Sequence, residues 1–178
     1  MDSHRSACLC ALVAALLLCG PGPAAPAPFG AVLFGVGPAL ASKLKVPRFV
    51  SLRFGRVNLR TGPGKNHPIE WVYQRRGLPV EVIRDYDTWR QVRDRWGTVG
   101  WIHVSNLTGR RTVLIDPKSA LLRRRPQEAA AAVARAEAGA IAQLKKCAAA
   151  WCRISAEGHT GWVRRSEVWG LHKKDDGR

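Results

Sequence analysis

Apolar and polar residues alternate in short runs along most of the chain beyond residue 46. In "LPVEVIRDY", at 78–86, Leu78, Val80 and Val82 occupy every second position, so they would lie on one face of a β-strand. Segments rich in Gly, Pro and Asn separate these runs, and that composition is typical of turns. The pattern predicts strands at 47–53, 57–60, 69–75, 78–86, 88–94 and 97–104, with turns at 61–68, 76–77 and 96–97.

The second half of the chain repeats the first. The segment 88–107, "TWRQVRDRWGTVGWIHVSNL", matches 150–170, "AWCRISAEGHTGWVRRSEVWG", and 58–64 matches 121–127. The matched landmarks are Gly77 with Gly139, Trp89 with Trp151, Val92 with Ile154, Gly100-Trp101 with Gly161-Trp162, and Ser105 with Ser166. Because they keep their order while the offset drifts only from 63 to 61 residues, we interpret them as two copies of one unit, joined at 109–119.

One segment of the second copy carries two conflicting signals. Residues 127–146, "QEAAAAVARAEAGAIAQLKK", are rich in helix-forming Ala, Glu and Lys, and propensity alone predicts a helix. The repeat instead predicts two strands with a turn at Gly139. Tertiary context routinely overrides intrinsic propensity, so we expect the two strands.

Five or six short strands in so short a unit favour a small closed barrel, which leaves no exposed sheet edge. The candidate core is Leu59, Val80, Val82, Val92, Val99 and Ile102 in the first copy, and Leu122, Leu144, Ile154 and Val163 in the second. The tryptophans that recur in both copies are also expected to pack. A barrel of about sixty residues buries only about 60% of its unfolded surface, so the copies should stabilise each other.

Gly100 and Gly161 fall at matched positions inside predicted strands. A glycine inside a strand is typical of a close backbone approach or of a bulge. We therefore expect the two glycines to perform the same structural task in the two copies.

The motifs "VNLRTGPG" at 57–64, "TWRQVRD" at 88–94 and "GTVGWIHVSNL" at 97–107 resemble the bacterial SH3-like domain family. The resemblance implies an all-β fold with two tandem SH3-like barrels, at 47–108 and, in degenerate form, at 112–170, followed by a polar tail at 171–178. The arrangement is similar to exported two-copy proteins of this kind from Gram-negative bacteria. Such domains are non-catalytic, and where a role is assigned they usually attach to cell-wall material or target an attached enzyme.

The first 41 residues differ from the rest. Residues 8–20, "CLCALVAALLLCG", form an uncharged apolar run, shorter than the roughly 20 residues that a membrane-spanning helix needs. A short apolar run behind a basic start is typical of a secretory signal, and "ALAS" at 39–42 offers a small-residue cleavage site. We expect 1–41 to be a signal peptide, or a membrane anchor if it is retained, and the protein to be periplasmic or secreted.

The charge of the chain concerns its partners rather than its fold. The sequence holds 29 Lys and Arg against 13 Asp and Glu, a net charge of +16, and this favours anionic partners. Removal of 1–41 would take away only Arg5 and Asp2 and leave that charge unchanged. The expected partner is a cell-wall polymer or another anionic envelope component, with envelope proteins as further candidates. Nucleic acid is less favoured, and a membrane fits only if the N-terminal segment is retained.

Two of the five cysteines, Cys147 and Cys152, lie outside the expected signal. In an oxidising compartment they would form one disulfide. A zinc set of these two with His159 and His172 has loose spacing, so no metal is expected. A cysteine hydrolase needs a reactive thiol, and paired thiols are not reactive. We therefore expect no enzyme activity and no cofactor.

Aromatic residues without an aromatic counterpart in the other copy are the best candidates for a ligand surface, since recurrence suggests packing. Several flank the loops that frame the usual SH3-type groove, close to the basic segment "RTGPGKNHP" at 60–68. Such a surface can stack on sugars or bases and neutralise anions. The sequence predicts a ligand site at Arg60, Lys65, His67, Trp71, Tyr73, Tyr86 and Trp96.

Two functions fit these features. The first is an exported, non-catalytic binding module that associates with peptidoglycan or other anionic envelope material. The second is a cytosolic nucleic-acid-binding protein whose apolar N-terminus has another explanation. The charge fits both, and the apolar leader favours the first. Capture of proline-rich peptides is disfavoured, because eukaryotic SH3 grooves typically carry acidic loop residues and the corresponding loop here is basic.

Overall fold

A computed structural model of the protein describes residues 44–116, 118–172 and 175. The expected signal or anchor at 1–41 lies outside the described residues, as does most of the polar tail at 171–178. Regular structure in the described part of the chain consists of β-strands and two short 3₁₀ turns, Val104–Asn106 and Arg165–Glu167. The all-β prediction is confirmed.

The seven strands of the first copy follow the alternation of apolar and polar residues. They are β1 Arg48–Leu52, β2 Val57–Arg60, β3 Ile69–Tyr73, β4 Pro79–Tyr86, β5 Trp89–Arg93, β6 Val99–His103 and β7 Leu107–Thr108. All six predicted strands are therefore present, and the two-residue β7 is additional.

The second copy has seven strands as well. They are β8 Thr112–Ile115, β9 Ala120–Arg123, β10 Ala132–Ala136, β11 Ile141–Ala148, β12 Trp151–Ala156, β13 His159–Arg164 and β14 Val168–Trp169. The alanine-rich segment forms β10 and β11, with Gly139 at φ +78° between them, so the repeat overrides helix propensity as expected.

The two sheets have the same strand order. In the first it is β3-β2-β6-β5-β4-β1-β7, and in the second it is β10-β9-β13-β12-β11-β8-β14. Each strand of the second sheet has the neighbours of its counterpart seven strands earlier. The second half of the chain is thus a structural copy of the first, and two tandem SH3-like barrels are confirmed.

The expectation of a fully closed barrel is wrong. In the described part of the first copy the ladder begins at β3 and ends at β7, and no strand pairing joins these two. The strand β7 has only two residues, and both already pair with β1. The strand β3 therefore remains an edge strand with three consecutive exposed residues, Ile69, Glu70 and Trp71.

Each copy has its own hydrophobic core. The fully buried predicted residues are Leu59, Val80, Val82, Val92 and Ile102 in the first copy, and Leu122, Ile154 and Val163 in the second. Leu144 is half-buried and packs at the margin of the second core. Val99 is 39% exposed, so its prediction as a core residue is wrong. Side chains alternate between the faces of a strand, and Val99 cannot face inward together with Ile102, three positions away.

The matched glycines sit where two strands approach closely. A Cβ atom on Gly100 would lie 2.6 Å from Cγ of Leu59 and 2.9 Å from the carbonyl oxygen of Arg60. A Cβ atom on Gly161 would lie 2.7 Å from Cβ of Leu122, the counterpart of Leu59. Of the two alternatives, a close backbone approach or a bulge, the structure shows a close approach at both positions.

All four residues of β8 are buried, because this strand serves both cores. Val113 and Ile115 belong to the core of the second copy. Leu114 points the other way and belongs to the core of the first copy. The alternation of a single strand therefore joins the two barrels, which lie in one compact unit.

Polar and aromatic contacts surround this shared strand. The hydroxyl of Thr112 lies 2.6 Å from that of Ser51 and also 2.6 Å from the carbonyl oxygen of Gly77. Phe49 and Trp169 meet edge to face, with ring centroids 5.1 Å apart. The expectation that the copies stabilise each other has a structural basis in these contacts.

The cysteines form the expected disulfide. Cys147 and Cys152 are both buried and are register partners on β11 and β12, on either side of the turn at Ala149. In the first copy the same register is occupied by Asp85 and Arg90, whose Oδ1 and Nε atoms lie 3.0 Å apart. A covalent bond in one barrel thus stands where the other has an ion pair.

Candidate functional site

The seven residues predicted as one ligand site are divided among separate places on the first copy. Trp71, Tyr73 and Trp96 line one groove. Arg60 and Lys65 line a second, basic pocket. Tyr86 and His67 line neither of these two surfaces. The structure therefore offers two candidate surfaces rather than a single one.

The aromatic groove is bounded by β3 and by the turn between β5 and β6. Trp71 and Trp96 are 57% and 67% exposed, which is unusual for the largest apolar side chain. The groove has a volume of about 520 Å³ and includes the side chains of Leu78 and Thr98. Two open indole rings at a concave site are the arrangement that stacks on flat or ring-shaped ligands.

The floor of the aromatic groove is held by hydrogen bonds. Tyr73 is 4% exposed, and its hydroxyl donates to Oδ2 of Asp94 over 3.0 Å. The other carboxylate oxygen of Asp94 accepts from the backbone N–H groups of Trp96 and Thr98, at 2.9 and 2.8 Å. Asp94 therefore joins the floor to the turn that carries Trp96.

The predicted role of Tyr73 needs correction. Its ring lies under the groove, because the hydroxyl finds a buried acceptor in Asp94, and an open stacking surface is not available there. Burial, followed by the proximity of the Asp94 carboxylate, raises the pKa of Tyr73 far above its ordinary value. The phenol is neutral at every physiological pH and acts as a support for the groove.

Arg75 stands at the border between the copies. It lines the aromatic groove, and its Nη2 donates to the carbonyl oxygen of Gly139 over 2.6 Å. Arg75 also lines a second groove, of about 560 Å³, formed mainly by the second copy. A cation is thus present beside the exposed tryptophans, although the sequence did not single it out.

The basic pocket lies on the outer face of β2 and β6. It has a volume of about 360 Å³, and its lining includes Arg56, Arg60, Lys65, Trp89 and His103. The rings of Trp89 and His103 meet edge to face at 5.3 Å. Trp89 is therefore half-buried on the outside of the barrel, and the expectation that it packs because it recurs holds only in part.

His67 and Tyr86 have local partners. The ring of His67 packs over Gly62, since a Cβ atom there would lie 2.5 Å from it, and the His67 carbonyl oxygen accepts from Nη1 of Arg60 over 2.6 Å. Tyr86 is exposed and meets the buried Trp101 edge to face at 6.2 Å. Neither residue is therefore placed to form one site with the tryptophans of the aromatic groove.

The second copy has no aromatic groove among its described residues. Ala134 and Ala136 occupy the register positions of Trp71 and Tyr73. Asp94 lies two residues after the core residue Val92, and the residue at the same place in the second copy, two after Ile154, is Ala156. The corresponding groove of the second copy is lined by alanines and charged residues, with no aromatic ring of Trp, Tyr or Phe among them. Two of its three tryptophans instead lie next to cations, with Arg164 5.1 Å from the Trp151 ring centroid and Nζ of Lys146 5.7 Å from that of Trp162.

Among the described residues, no three His, Cys, Asp or Glu side chains cluster as metal ligands do. Cys147 and Cys152 are bonded to each other, so the alternative of a zinc set that uses both thiolates does not arise in this structure. In the same part of the chain, no helix has the length and apolar character needed to cross a membrane.

Comparison with known proteins bears on the fold and the family. No curated protein sequence matches the chain. NlpC2 from Trichomonas vaginalis has 16% identity over 75% of this chain and 52% of its own, with a TM-score of 0.33. NlpC1 from the same organism has 15% identity over 77% of this chain and 50% of its own, with a TM-score of 0.33. The chain spans about half the length of these two proteins.

The family model of the bacterial SH3 domain matches the chain twice, at residues 55–109 and 116–170. The first match covers β2 to β7, and the second covers β9 to β14. Domains of this family are commonly binding modules for the cell wall, typically in extracellular or envelope proteins. Since the two matches together cover more than half of the sequence and each lies within one barrel, the chain belongs to the bacterial SH3 domain family.

Proposed function

We propose that the protein is an exported, non-catalytic binding module that attaches to peptidoglycan or other anionic envelope material through its first barrel. The observation that carries the proposal is the pair of open rings, Trp71 and Trp96, over the fixed floor of Tyr73 and Asp94. An exposed apolar surface of this kind on a small soluble domain usually marks a binding site.

The aromatic groove supports a sugar-containing ligand. Sugar rings present flat C–H faces that pack on indole, and the groove volume of about 520 Å³ lies within the usual range for ligand sites. Arg75 at the rim supplies a cation for an acidic substituent. Stacking and charge would therefore act together in the same groove.

The charge of the chain supports an anionic polymer in particular. A net charge of +16 attracts a polyanion over the distance that salt allows, about 10 Å at 0.1 M. The basic pocket, with Arg56, Arg60 and Lys65, adds a charge-dependent contact outside the groove. Binding should then have one component that salt removes and one that it does not.

The test is sedimentation of the protein with purified peptidoglycan across a series of salt concentrations. Trp71→Ala should weaken the salt-resistant component about tenfold, the usual cost of losing one stacking platform. Lys65→Ala should weaken only the salt-sensitive component.

Matched controls separate the site from general surface effects. Phe54→Ala removes an exposed aromatic ring outside the groove, and Arg124→Ala removes an exposed cation from the second copy. Both should bind as the wild type does. Equal binding of folded Trp71→Ala and wild type at high salt would overturn the groove assignment. A preference for DNA over peptidoglycan at matched salt would favour the nucleic-acid alternative.

A further inference from the structure

A further concave site lies where the two barrels meet, away from the aromatic groove. It is a cleft of about 560 Å³ between the start of β1, Arg111 before β8, the end of β11 and the C-terminal tail. Its charged lining residues are Lys45, Arg48, Arg111, Lys145, Lys146 and Asp175. Cations therefore outnumber acids in the lining by five to one.

Two arginines of this cleft are equivalent in the repeat. Arg48 neighbours Val82 of β4, and the carbonyl oxygen of Arg111 accepts from the N–H of Leu144, the counterpart of Val82 on β11. Arg48 binds both carboxylate oxygens of Asp85, at 2.9 and 2.8 Å. Cys147 stands at the position of Asp85 in the second copy, so Arg111 has no such partner on its own sheet.

Arg111 instead binds the tail. Its Nη1 and Nη2 atoms donate to the two carboxylate oxygens of Asp175, at 3.0 and 2.8 Å. Burial alone would raise the pKa of Asp175, but hydrogen bonds from Arg111 and from the backbone N–H of His172 hold that pKa below its ordinary value. Asp175 is thus ionised at neutral pH and offsets one cation, while Lys45, Lys145 and Lys146 remain in excess.

The cleft also contains unused hydrogen-bonding capacity. Within the described residues, three buried side-chain polar atoms lack a hydrogen-bond partner, namely Nε of Arg48, Nε of Arg111 and Nδ1 of His172. All three belong to residues that line this cleft. Buried polar atoms in native proteins are nearly always satisfied, so their concentration at one site points to a polar ligand.

His172 fixes part of the geometry. Its Nε2 lies 2.7 Å from the carbonyl oxygen of Pro47, which can only accept, so Nε2 carries the hydrogen. The hydrogen bond thereby joins His172 to the residue before β1. In the tautomer that this bond selects, Nδ1 is an acceptor, so the unpartnered donors of the cleft are the Nε atoms of Arg48 and Arg111.

We propose that this cleft between the barrels binds a compact anion that carries several negative charges, of the diphosphate class. Arginine forks and clustered lysines recognise phosphate oxygens, and a single carboxylate would leave most of the cations unmatched. The volume of the cleft is within the range of small-ligand sites. The site is separate from the proposed wall-binding groove, so either proposal can fail without the other.

The experiment titrates the protein with inorganic pyrophosphate by calorimetry at constant ionic strength, with orthophosphate and acetate as parallel ligands. Pyrophosphate should bind more tightly than orthophosphate, and acetate should give no saturable heat. The double variant Lys45→Gln/Lys145→Gln removes two exposed cations of the cleft and should weaken pyrophosphate binding about fivefold or more. Thermal unfolding of the variant checks that it is folded.

The matched control is Arg124→Gln/Arg125→Gln, which removes two exposed cations from the loop between β9 and β10. Its affinity for pyrophosphate should equal that of the wild type. If both double variants lose affinity equally, only diffuse charge is at work and the proposal fails. It also fails if pyrophosphate does not bind, or if it binds no better than orthophosphate.

A further arm identifies the source of the diphosphate. Vesicles of neutral lipid that contain a prenyl diphosphate lipid are compared with the same vesicles without it. Binding to the first but not the second, with loss in the cleft variant, assigns a lipid-linked diphosphate. Binding of soluble pyrophosphate without vesicle binding assigns a free ligand.

Discussion

Every strand of one barrel has a counterpart in the other, but the side chains at some equivalent positions differ in chemistry. Where the first copy pairs Asp85 with Arg90 and Arg48, the second has the Cys147–Cys152 disulfide. The ion cluster contains groups that are only partly exposed, whereas the disulfide is fully covalent and buried. The equivalent hairpins β4–β5 and β11–β12 are therefore stabilised differently, the first by ion pairs that salt weakens and the second by a disulfide that a reductant breaks.

A second difference concerns the surface. The aromatic residues Trp71 and Tyr73 of the first copy become Ala134 and Ala136 in the second, and the acid Asp94 that supports the groove has no acidic counterpart in the register. The glycines at Gly100 and Gly161 and the inward-facing residues around them are retained in both. The fold and the aromatic groove are thus separable, since both copies have the fold and only the first has the groove among the described residues.

The largest expected effect tests whether the barrels are energetically one unit. Leu114→Ala removes a buried side chain that comes from the second copy and fills the core of the first, and it should cost about 2–5 kcal/mol of unfolding free energy. Because β8 serves both cores, urea unfolding followed by tryptophan fluorescence should remain a single transition at a lower midpoint. Two separate transitions, with only the first copy affected, would contradict the shared strand.

Next in size is the substitution of the matched glycines. Gly100→Ala and Gly161→Ala each force a methyl group into space occupied by Leu59 or Leu122, and overpacking of this kind costs about 1–3 kcal/mol. Gly55→Ala is the control, since a Cβ atom there has no neighbour within 4 Å. Similar losses in the two variants would show that both copies depend on the same approach. A loss no larger than that of Gly55→Ala would refute it.

The disulfide of the second copy and the ion cluster of the first should also differ in how much stability they contribute. Reduction of Cys147–Cys152 releases a short loop in the unfolded chain, so the chain-entropy model predicts a loss of about 2 kcal/mol in the free energy of unfolding. Asp85→Asn should cost about 1 kcal/mol, and this loss should shrink at high salt because the ion cluster is partly solvated. Thermal unfolding with and without reductant, at low and high salt, measures both. A salt-dependent effect of the reductant would contradict the contrast.

Alkaline pH should affect the first copy through Tyr73. The folded-state pKa of this phenol is raised, so above about pH 10 the unfolded chain loses the proton while the folded chain keeps it. The contribution of Tyr73 to the free energy of unfolding should be fully present below that pH and should decrease as the pH rises above it. Tyr73→Phe removes one buried hydrogen bond, at a cost of about 1 kcal/mol, and should abolish this alkaline loss. The melting temperature between pH 9 and pH 11 decides it.

The smallest expected effect lies in the turns of these two hairpins, next to the ion cluster and the disulfide. Ala149 and Asp87 both adopt positive φ, 48° and 46°. An alanine is strained there, whereas aspartate tolerates this region and here accepts a hydrogen bond from Thr88. Ala149→Gly should therefore raise stability by about 0.5 kcal/mol, and Asp87→Gly should leave it nearly unchanged. Equal changes in urea midpoint would remove the distinction.

Much of the fold can be predicted from the sequence because the alignment of the two copies lets the clearer copy identify the strands of the other. The alanine-rich segment alone favours a helix, and only its alignment with β3 and β4 identifies it as two strands. Val99 is apolar, but its position three residues before Ile102 puts it on the other face of the strand, so apolar character alone does not place it in the core. The shared role of Leu114 has no signal in the sequence, since a run of apolar residues does not say which of two cores each will join.

The candidate site was less predictable, because grouping residues by type ignores which face each occupies. Trp71 and Trp96 were identified since they lack aromatic counterparts, and they are exposed. Tyr73 met the same criterion, yet its hydroxyl is satisfied by Asp94 at the far end of another hairpin. Arg111 and Asp175 lie 64 residues apart, and no local pattern could have joined them.

The strand shared by the two cores has a consequence for how this protein can be divided. The family matches begin after β1 and after β8, so their borders suggest two modules that could be moved separately. A first barrel transplanted as 48–109 would leave Leu114 behind and open a hole beside Leu52 and Leu59, which share that core. The smallest transferable piece is then the whole of 48–170, with both barrels moved together.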